Sequence, residues 1–201
     1  MEFIEYNSEN NYITIKFIIL GISGTGKTFL TERINSYNNY SEFIKIKKSI
    51  ELVPTIGIDF KIFCINYRNQ LLRIQLWDTS GDESFKKLAL SYVRGAQAIL
   101  LCYDAFNRES FNSIKKIYNE LKNEYTNYRN HNIIYVLIRN KYDEKINKNN
   151  IGINDIVSDE EALEYADENN LIFSHVSSVT KNDPGIKQLF ELILDKLLPG
   201  K

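Results

Sequence analysis

The sequence predicts a doubly wound α/β fold: a mostly parallel six-stranded sheet with one antiparallel edge strand and helices on both faces. The short runs 98–103 and 133–138 are almost wholly apolar, as in strands buried on both faces. Between them, apolar residues recur at helical spacing over 111–125. A glycine-rich turn separates the apolar run 13–20 from a helix start at Phe29. Ligands of such sheets bind at the carboxyl ends of the strands.

The other elements follow from the same patterns in chain order. Strands are predicted at 12–20, 56–67, 71–77, 98–103, 133–138 and 171–176, and helices from 29 onward and over 111–125, 158–169 and 184–198. The three residues Arg68-Asn69-Gln70 suit a hairpin turn between two strands. Ser158, with Glu161 three residues later, has the form of a capping box, and Pro184 suits the first turn of the last helix.

Composition favours one intracellular domain. A chain of 201 residues, 43% of them apolar, can bury one core, and we divide it into a flexible N-terminal extension, 1–11, and a single domain, 12–198. A net charge of −1 argues against a nucleic-acid partner. Cys64 and Cys102 lie in apolar runs as small hydrophobes, which fits a reducing cytoplasmic compartment. No apolar run is long enough to span a bilayer, and we expect a monomer.

The stretch from Gly21 to Thr28 matches the phosphate-binding pattern G-x-x-x-x-G-K-[ST] between a strand and a helix. Backbone amides of Ser23, Gly24, Thr25 and Gly26 are predicted to converge on phosphate oxygens at the positive end of the helix. Lys27 is predicted to reach the β- and γ-phosphates, and the Thr28 hydroxyl to bind Mg²⁺. The alternative, a flexible turn that contains a lysine, does not explain the full match.

Three further clusters follow predicted strands and indicate which nucleotide binds. Asp78 can hold Mg²⁺ and the Gly81 N–H can meet a γ-phosphate, although a D-x-x-G segment is also common as an ordinary acidic turn. Asn140-Lys141-Tyr142-Asp143 can read a purine edge, since Asp143 can accept from two N–H groups that guanine presents and adenine lacks. Near Ser178, a backbone N–H could contact the guanine carbonyl.

Together these clusters resemble the Ras-like small GTPases, a P-loop NTPase fold, and within them the Rab family. The residues that carry the resemblance are Ile56-Gly57-Ile58-Asp59-Phe60, Trp77-Asp78-Thr79, Tyr92-Val93-Arg94-Gly95-Ala96, Tyr103-Asp104 and Arg108-Glu109-Ser110-Phe111. The resemblance covers nearly the whole chain. It implies a switch that binds GTP and GDP with Mg²⁺, hydrolyses GTP and recruits effectors in vesicle traffic at the cytosolic face of endomembranes.

The resemblance also assigns roles to residues. Thr55 would close on Mg²⁺ and the γ-phosphate, so the metal set becomes Thr28, Thr55 and Asp78. Regions 55–60 and 78–95 would be the two switches, which contact effectors, exchange factors and GTPase-activating proteins. The chemistry would then rest on Lys27, Thr55, Gly81 and Asp82.

Asp82 departs from the family, which usually carries glutamine there. Glutamine both donates and accepts as it orients the attacking water, whereas an ionised aspartate only accepts and brings negative charge toward the γ-phosphate. We therefore predict slow intrinsic hydrolysis. Two alternatives stay open: a GTP-bound scaffold that seldom hydrolyses, or a partner protein that completes the site. A P-loop kinase that uses ATP is disfavoured by Asn140 and Asp143.

Other departures concern the loops. Thr28 and Thr55 are 27 positions apart, longer than the family norm, and Tyr37, Tyr40 and Phe43 are candidates for the ring that packs on the base. A second insertion spans about 145–156. The last motif is either Ser178-Val179-Thr180, which we favour, or Val179-Thr180-Lys181.

Arg139 and the chain end also differ from the family. Arg139 stands where relatives usually carry glycine, and it is expected either to perturb the base-reading residues or to point into solvent. The sequence given ends at Lys201 without the cysteines that relatives use for prenylation. Membrane association is therefore expected only if a lipidated tail is missing from this chain.

Overall fold

A computed structural model of the protein describes residues 1–37, 54–125, 133–141, 155–178, 180 and 183–200. The strands are β1 Glu2–Ile4, β2 Ile13–Leu20, β3 Ile58–Tyr67, β4 Gln70–Thr79, β5 Ala98–Asp104, β6 Ile134–Asn140 and β7 Ile172–Val176. The helices are α1 Lys27–Asn35, α2 Lys86–Ser91, α3 Arg108–Tyr125, α4 Asp159–Glu168 and α5 Pro184–Leu197. A short 3₁₀ turn, Glu83–Phe85, precedes α2.

The strands form one sheet in the order β1-β3-β4-β2-β5-β6-β7. The neighbouring pairs β4–β2, β2–β5, β5–β6 and β6–β7 are parallel. Strand β3 is antiparallel to both of its neighbours, β4 and β1. The predicted α/β fold with a mostly parallel sheet is confirmed. The predicted strand count was wrong by one, and the antiparallel strand β3 lies inside the sheet rather than at its edge, because β1 covers it.

Strand β1 lies within the N-terminal extension that the sequence predicted to be flexible. Phe3 pairs with Ile65 in the strand register, and its ring stacks on Tyr37 at a centroid distance of 4.4 Å. The same ring lies 5.5 Å from that of Phe63 and 6.2 Å from that of Phe190. Three residues are too few to show a strand periodicity, so only the aromatic partners from distant segments reveal this element.

Replacing Phe3 by alanine is expected to destabilise the fold by about 1–3 kcal/mol, because the half-buried ring loses three aromatic partners. Urea unfolding measures the change. Tyr6→Ala is the matched control, since the Tyr6 side chain is largely exposed and its loss should cost under about 1 kcal/mol. Equal midpoints for the two variants would show that β1 does not stabilise the sheet.

Helices cover both faces of the sheet, as predicted. Alternate residues of β2 point to opposite faces, so Phe17 and Ile19 pack in one core while Ile18 and Leu20 pack in the other. Helices α1 and α5 contribute to the first core, and α2, α3 and α4 to the second. This arrangement brings the carboxyl ends of β2, β4, β5, β6 and β7 to one edge of the sheet.

The predicted hairpin and helix caps are confirmed, but the turn has two residues rather than the three predicted, because Gln70 begins β4. Arg68 and Asn69 form the β3–β4 turn, with φ values of 50° and 62° that match the twist of a two-residue hairpin. The Ser158 hydroxyl accepts from the Glu161 N–H at the start of α4. The Asp183 side chain caps α5 just before Pro184. Within the described ranges, no helix has the length and apolar character needed to cross a membrane.

Candidate functional site

The phosphate-pattern loop joins β2 to α1, and its glycines adopt conformations that other residues rarely allow. Gly24 and Gly26 have φ values of 83° and 86°, and Gly26 is the N-cap of α1. At Gly21, a Cβ atom would lie 2.3 Å from the Cys102 carbonyl oxygen. The loop therefore curls tightly at the positive end of a helix, which is the setting that favours bound anions.

Lys27 is buried at the start of this helix. Its Nζ donates to the Ile22 carbonyl oxygen at 3.0 Å, within the same loop. Burial lowers the pKa of the ammonium group, and the Asp78 carboxylate offsets this in part. A buried cation at the N-terminus of a helix suits a polyanionic ligand such as a phosphate chain.

The three residues predicted to bind a metal come together from three segments. The Thr28 hydroxyl of α1 donates to Asp78 Oδ2 at 2.6 Å, and the Thr28 and Thr55 hydroxyl oxygens are 2.7 Å apart. The Thr55 hydroxyl also donates to Asp78 Oδ2, at 3.4 Å. Thr55 precedes β3 and Asp78 lies at the end of β4. Residues far apart in sequence thus converge in the predicted set.

The surroundings of Asp78 show whether these three residues can bind a cation. The carboxylate is buried, and its Oδ1 has no hydrogen-bond partner among the described residues. Burial raises the pKa of this group to about 6, although the bonds from Thr28 and the charge of Lys27 oppose the shift. A buried carboxylate with an open oxygen, flanked by two hydroxyls, fits Mg²⁺, which prefers oxygen ligands.

The segment after β4 lies directly on the loop. The Ser23 N–H donates to the Gly81 carbonyl at 3.0 Å, and a Cβ at Gly81 would lie 2.1 Å from the Ser23 nitrogen. Asp82 follows with an exposed side chain, and its Oδ1 accepts from both the N–H and the hydroxyl of Ser84. These bonds lower the pKa of the Asp82 carboxyl, so it is ionised at neutral pH.

A cavity of about 530 Å³ opens between the phosphate-pattern loop, the segment around Thr55 and the segment that begins at the end of β4. It is lined by Ser23, Gly24, Gly26, Lys27, Thr28, Pro54, Thr55, Ile56, Thr79, Ser80, Gly81, Asp82 and Phe85. Sequence reasoning did not single out Pro54 or Phe85. Pro54 adjoins Thr55, and Phe85 lies inside the second predicted switch, 78–95, but no spacing rule shows which of these side chains face the cavity.

Asn140, the first of the residues predicted to read the base, lies beside the loop and does not line this cavity. Asn140 is buried at the end of β6, and its Nδ2 donates to the Thr25 carbonyl at 2.9 Å. Its Oδ1 accepts from the Ser178 hydroxyl at 3.4 Å. Asn140 therefore connects the phosphate-pattern loop to the segment after β7, a bracing contact that the sequence did not predict.

Lys141 adopts a positive φ of 60°, and its Nζ donates to Asp104 Oδ2 at 2.8 Å. Asp104 and Asn140 are register partners at the ends of β5 and β6. The sequence analysis quoted Asp104 only as part of a family pattern. The sequence signal for its contact with Lys141 was its position at the end of β5, the strand next to β6.

Of the remaining predicted residues, Thr180 bonds within its own turn: its N–H donates to the Ser177 hydroxyl at 3.0 Å. Tyr37 stacks on Phe3, so it is not the ring that would pack on a base. Asp143, Val179, Tyr40 and Phe43 lie outside the described residues, as do most of the two predicted insertions.

Comparison with known proteins identifies the family to which this chain belongs. The family model described as "Ras family" matches residues 16–199. The chain belongs to the Ras family. Among curated relatives of this Ras-family protein, GTP-binding protein YPTM2 of Zea mays is 33% identical over 92% of this chain and 79% of its own length. Ras-related protein Rab-18 of Lymnaea stagnalis is 32% identical, over 93% of this chain and 83% of its own.

A third relative, Ras-related protein Rab-1 of Theileria parva, is 32% identical over 94% of this chain and 76% of its own length. These similarities make the chain a Rab-like small GTPase of the Ras superfamily. The predicted fold class is confirmed, since the family and the observed sheet agree.

Proposed function

We propose that this Ras-family protein is a GTP- and GDP-dependent molecular switch that uses Mg²⁺. The observation that carries the proposal is the convergence of Thr28, Thr55 and Asp78 beside the buried Lys27. Thr55 belongs to the first predicted switch, region 55–60, so its bonds to Thr28 and Asp78 couple that region to the metal set. A switch needs this coupling, because loss of the γ-phosphate must change the position of a surface segment.

Each group of residues has a distinct task in this proposal. The amides of Gly24, Thr25 and Gly26 and the ammonium of Lys27 bind the phosphates. Ser23, also predicted for this task, has its N–H bonded to the Gly81 carbonyl. Thr28, Thr55 and Asp78 hold Mg²⁺, which would neutralise charge on the β- and γ-phosphate oxygens. Asn140, Lys141 and Asp143 are proposed to hold the base, together with Ser178, Val179 and Thr180.

The nucleotide carried through purification tests this assignment. We expect chromatography of the denatured protein to release GDP or GTP, and titration to show tighter binding of GDP than of ADP. Guanine preference would follow from Asp143, since adenine lacks the two N–H groups that it can accept from. A protein that prefers ADP, or that binds neither nucleotide in excess Mg²⁺, would disprove the proposal.

A second candidate function is a GTP-bound scaffold with little hydrolysis, and the position of Asp82 favours it. Its carboxylate is ionised and is held by two bonds from Ser84 at the start of the 3₁₀ turn. A charged group used as a cap cannot donate to an attacking water, and it adds negative charge near the γ-phosphate site. Both features support slow intrinsic hydrolysis.

Asp82→Gln is expected to accelerate single-turnover GTP cleavage by about tenfold to a hundredfold, because the amide restores a positioning donor and removes a charge. Rapid-quench assays measure the rate. Glu83→Gln is the matched control: it makes the same chemical change one residue away, at an exposed side chain, and should leave the rate within about twofold. An unchanged or slower Asp82→Gln enzyme would show that aspartate is not what limits hydrolysis.

Partner binding is proposed to use the two switch regions, 55–60 and 78–95. Large apolar side chains are exposed in both, with Ile56 and Phe60 in the first and Leu88 and Tyr92 in the second. Effectors, an exchange factor and a GTPase-activating protein would contact this surface. The Rab names of the relatives support a role in vesicle traffic at the cytosolic face of endomembranes. We propose that the protein acts there as a monomer.

A further inference from the structure

Asp104 is the last residue of β5, and its carboxylate pairs with a lysine at the end of the neighbouring strand. Its Oδ2 accepts from Lys141 Nζ at 2.8 Å, and the two side chains are 14% and 28% exposed. Lys141 directly follows Asn140, which is the register partner of Asp104. Because both charged groups are largely shielded from water, their attraction is screened less than that of an ion pair on the open surface.

The Asp104 carboxylate is held in place by its own turn. Its Oδ1 accepts from the Phe106 N–H at 2.9 Å, and the Asp104 N–H donates to the Ser110 hydroxyl at 3.0 Å. The Asp104 carbonyl accepts from the Asn107 N–H at 3.0 Å. These bonds fix the acceptor Oδ2 independently of the lysine, so the aspartate orients Lys141 rather than the reverse.

The stem of Lys141 reaches the phosphate-pattern loop. A Cβ atom at Gly26 would lie 3.8 Å from Lys141 Cε, so this methylene group borders the backbone at the N-cap of α1. Lys141 has a φ of 60°, a conformation that costs free energy for a residue with a side chain. Such a conformation persists only where surrounding contacts fix the residue, and Asp104 supplies one of these contacts.

The two lysines beside the loop direct their charges differently. Lys27 lines the cavity next to the loop, whereas Lys141 does not, and its ammonium group binds Asp104 instead. Lys141 therefore presents its methylene stem, not its charge, to Gly26. Without the carboxylate, the ammonium group is better solvated when it turns outward to water, and this movement takes the stem away from the loop.

We infer that Asp104 is a positioning residue for nucleotide binding, which acts by holding the Lys141 stem against Gly26. Support at the helix-cap glycine keeps the loop amides in the orientation that binds phosphate, and such preorganisation strengthens binding. Loss of the support is expected chiefly to accelerate nucleotide release, because most changes in affinity within one binding site are changes in dissociation rate. This inference rests on the proposed function, since the ligand is the guanine nucleotide.

Release of a fluorescent GDP analogue tests the role of Asp104. Asp104→Asn keeps the side-chain size and an oxygen for the Phe106 N–H, but it turns an NH₂ group toward the Lys141 ammonium. We expect release about threefold to tenfold faster than from the wild type. Asp195→Asn, which removes the acidic partner of Arg68 at the opposite end of the sheet, should leave release unchanged. Wild-type release from Asp104→Asn would overturn the inference.

A double-mutant cycle with Lys141→Met separates positioning from a general loss of stability. Methionine keeps an unbranched stem but lacks the ammonium group that Asp104 holds, so adding Asp104→Asn to Lys141→Met should change release by less than about twofold. If Asp104→Asn accelerates release equally in both backgrounds, it does not act through Lys141, and the inference is wrong although the wild type binds GDP. A wild type that binds no GDP would instead overturn the proposed function.

Discussion

Gly26→Ala is expected to lower the affinity for GDP and GTP by about a thousandfold or more. A Cβ at this position would lie 2.4 Å from Asn140 Nδ2, and the backbone already has a φ of 86°. Asn140 is buried and bonded to the Thr25 carbonyl, so it has little room to move. The methyl group therefore disrupts the phosphate-pattern loop and the end of β6 together. Equilibrium titration with a fluorescent nucleotide measures the loss.

Gly95→Ala is the matched control for backbone strain. Gly95 has a similar φ of 78°, but a Cβ there meets nothing within 4 Å. We expect Gly95→Ala to cost about 1–2 kcal/mol of stability and to leave nucleotide affinity unchanged. If Gly26→Ala binds GDP within about threefold of the wild type, the close approach of Gly26 to Asn140 is not required for binding.

Asp78→Asn is expected to have effects of opposite sign with and without Mg²⁺. The pKa of Asp78 is raised from its ordinary value of 3.8 to about 6, chiefly by burial. The folded-state pKa lies above the unfolded one, so the ionised carboxylate costs stability at neutral pH, and the cost disappears as pH falls below the unfolded value. A shift of this size corresponds to about 3 kcal/mol. In EDTA, the neutral asparagine variant should therefore melt at a higher temperature than the wild type.

With Mg²⁺ and GDP present, the wild type should melt at a higher temperature than the asparagine variant. The asparagine oxygen can still accept from Thr28, but it carries no charge to hold the cation, so the Mg²⁺-dependent gain in nucleotide affinity should fall on the order of a hundredfold. Thermal melting and nucleotide titration at matched Mg²⁺ concentrations measure both effects. Asp167→Asn, the same change on the exposed face of α4, should shift neither. If Asp78→Asn keeps the full Mg²⁺-dependent gain in nucleotide affinity, Asp78 is not a ligand of the metal.

Much of the fold was predictable because its signals are local. The β3–β4 turn follows from the short gap at Arg68-Asn69-Gln70 between two strand-like runs, and the start of α4 from the spacing of Ser158 and Glu161. Strand β1 was missed for the opposite reason, since Phe3 is held by Tyr37, Phe63 and Phe190 from distant segments. Helix α2 was also missed, because six residues carry too short a pattern to identify it.

In the candidate site, too, local patterns were predicted and contacts between distant segments were not. Glycine spacing identified the loop from Gly21 to Thr28, since few other arrangements place a lysine and a hydroxyl after such a turn. The sequence also named Asn140 and Asp82, but not their contacts. Asn140 braces Thr25, and Asp82 is bonded by Ser84. Each of these contacts depends on where a neighbouring backbone group lies, which residue type does not specify.

The amino-acid sequence by itself determined that this chain alternates strands and helices and carries a phosphate-binding loop, because periodicity and glycine spacing act over a few residues. Only the tertiary structure decided that Thr28, Thr55 and Asp78 meet at hydrogen-bond distance and that Arg139 pairs with Asp159. The physical reason is the sheet: the start of antiparallel β3 and the ends of the parallel strands meet at one edge, which brings together residues 20 to 50 positions apart, and small shifts in register would separate them.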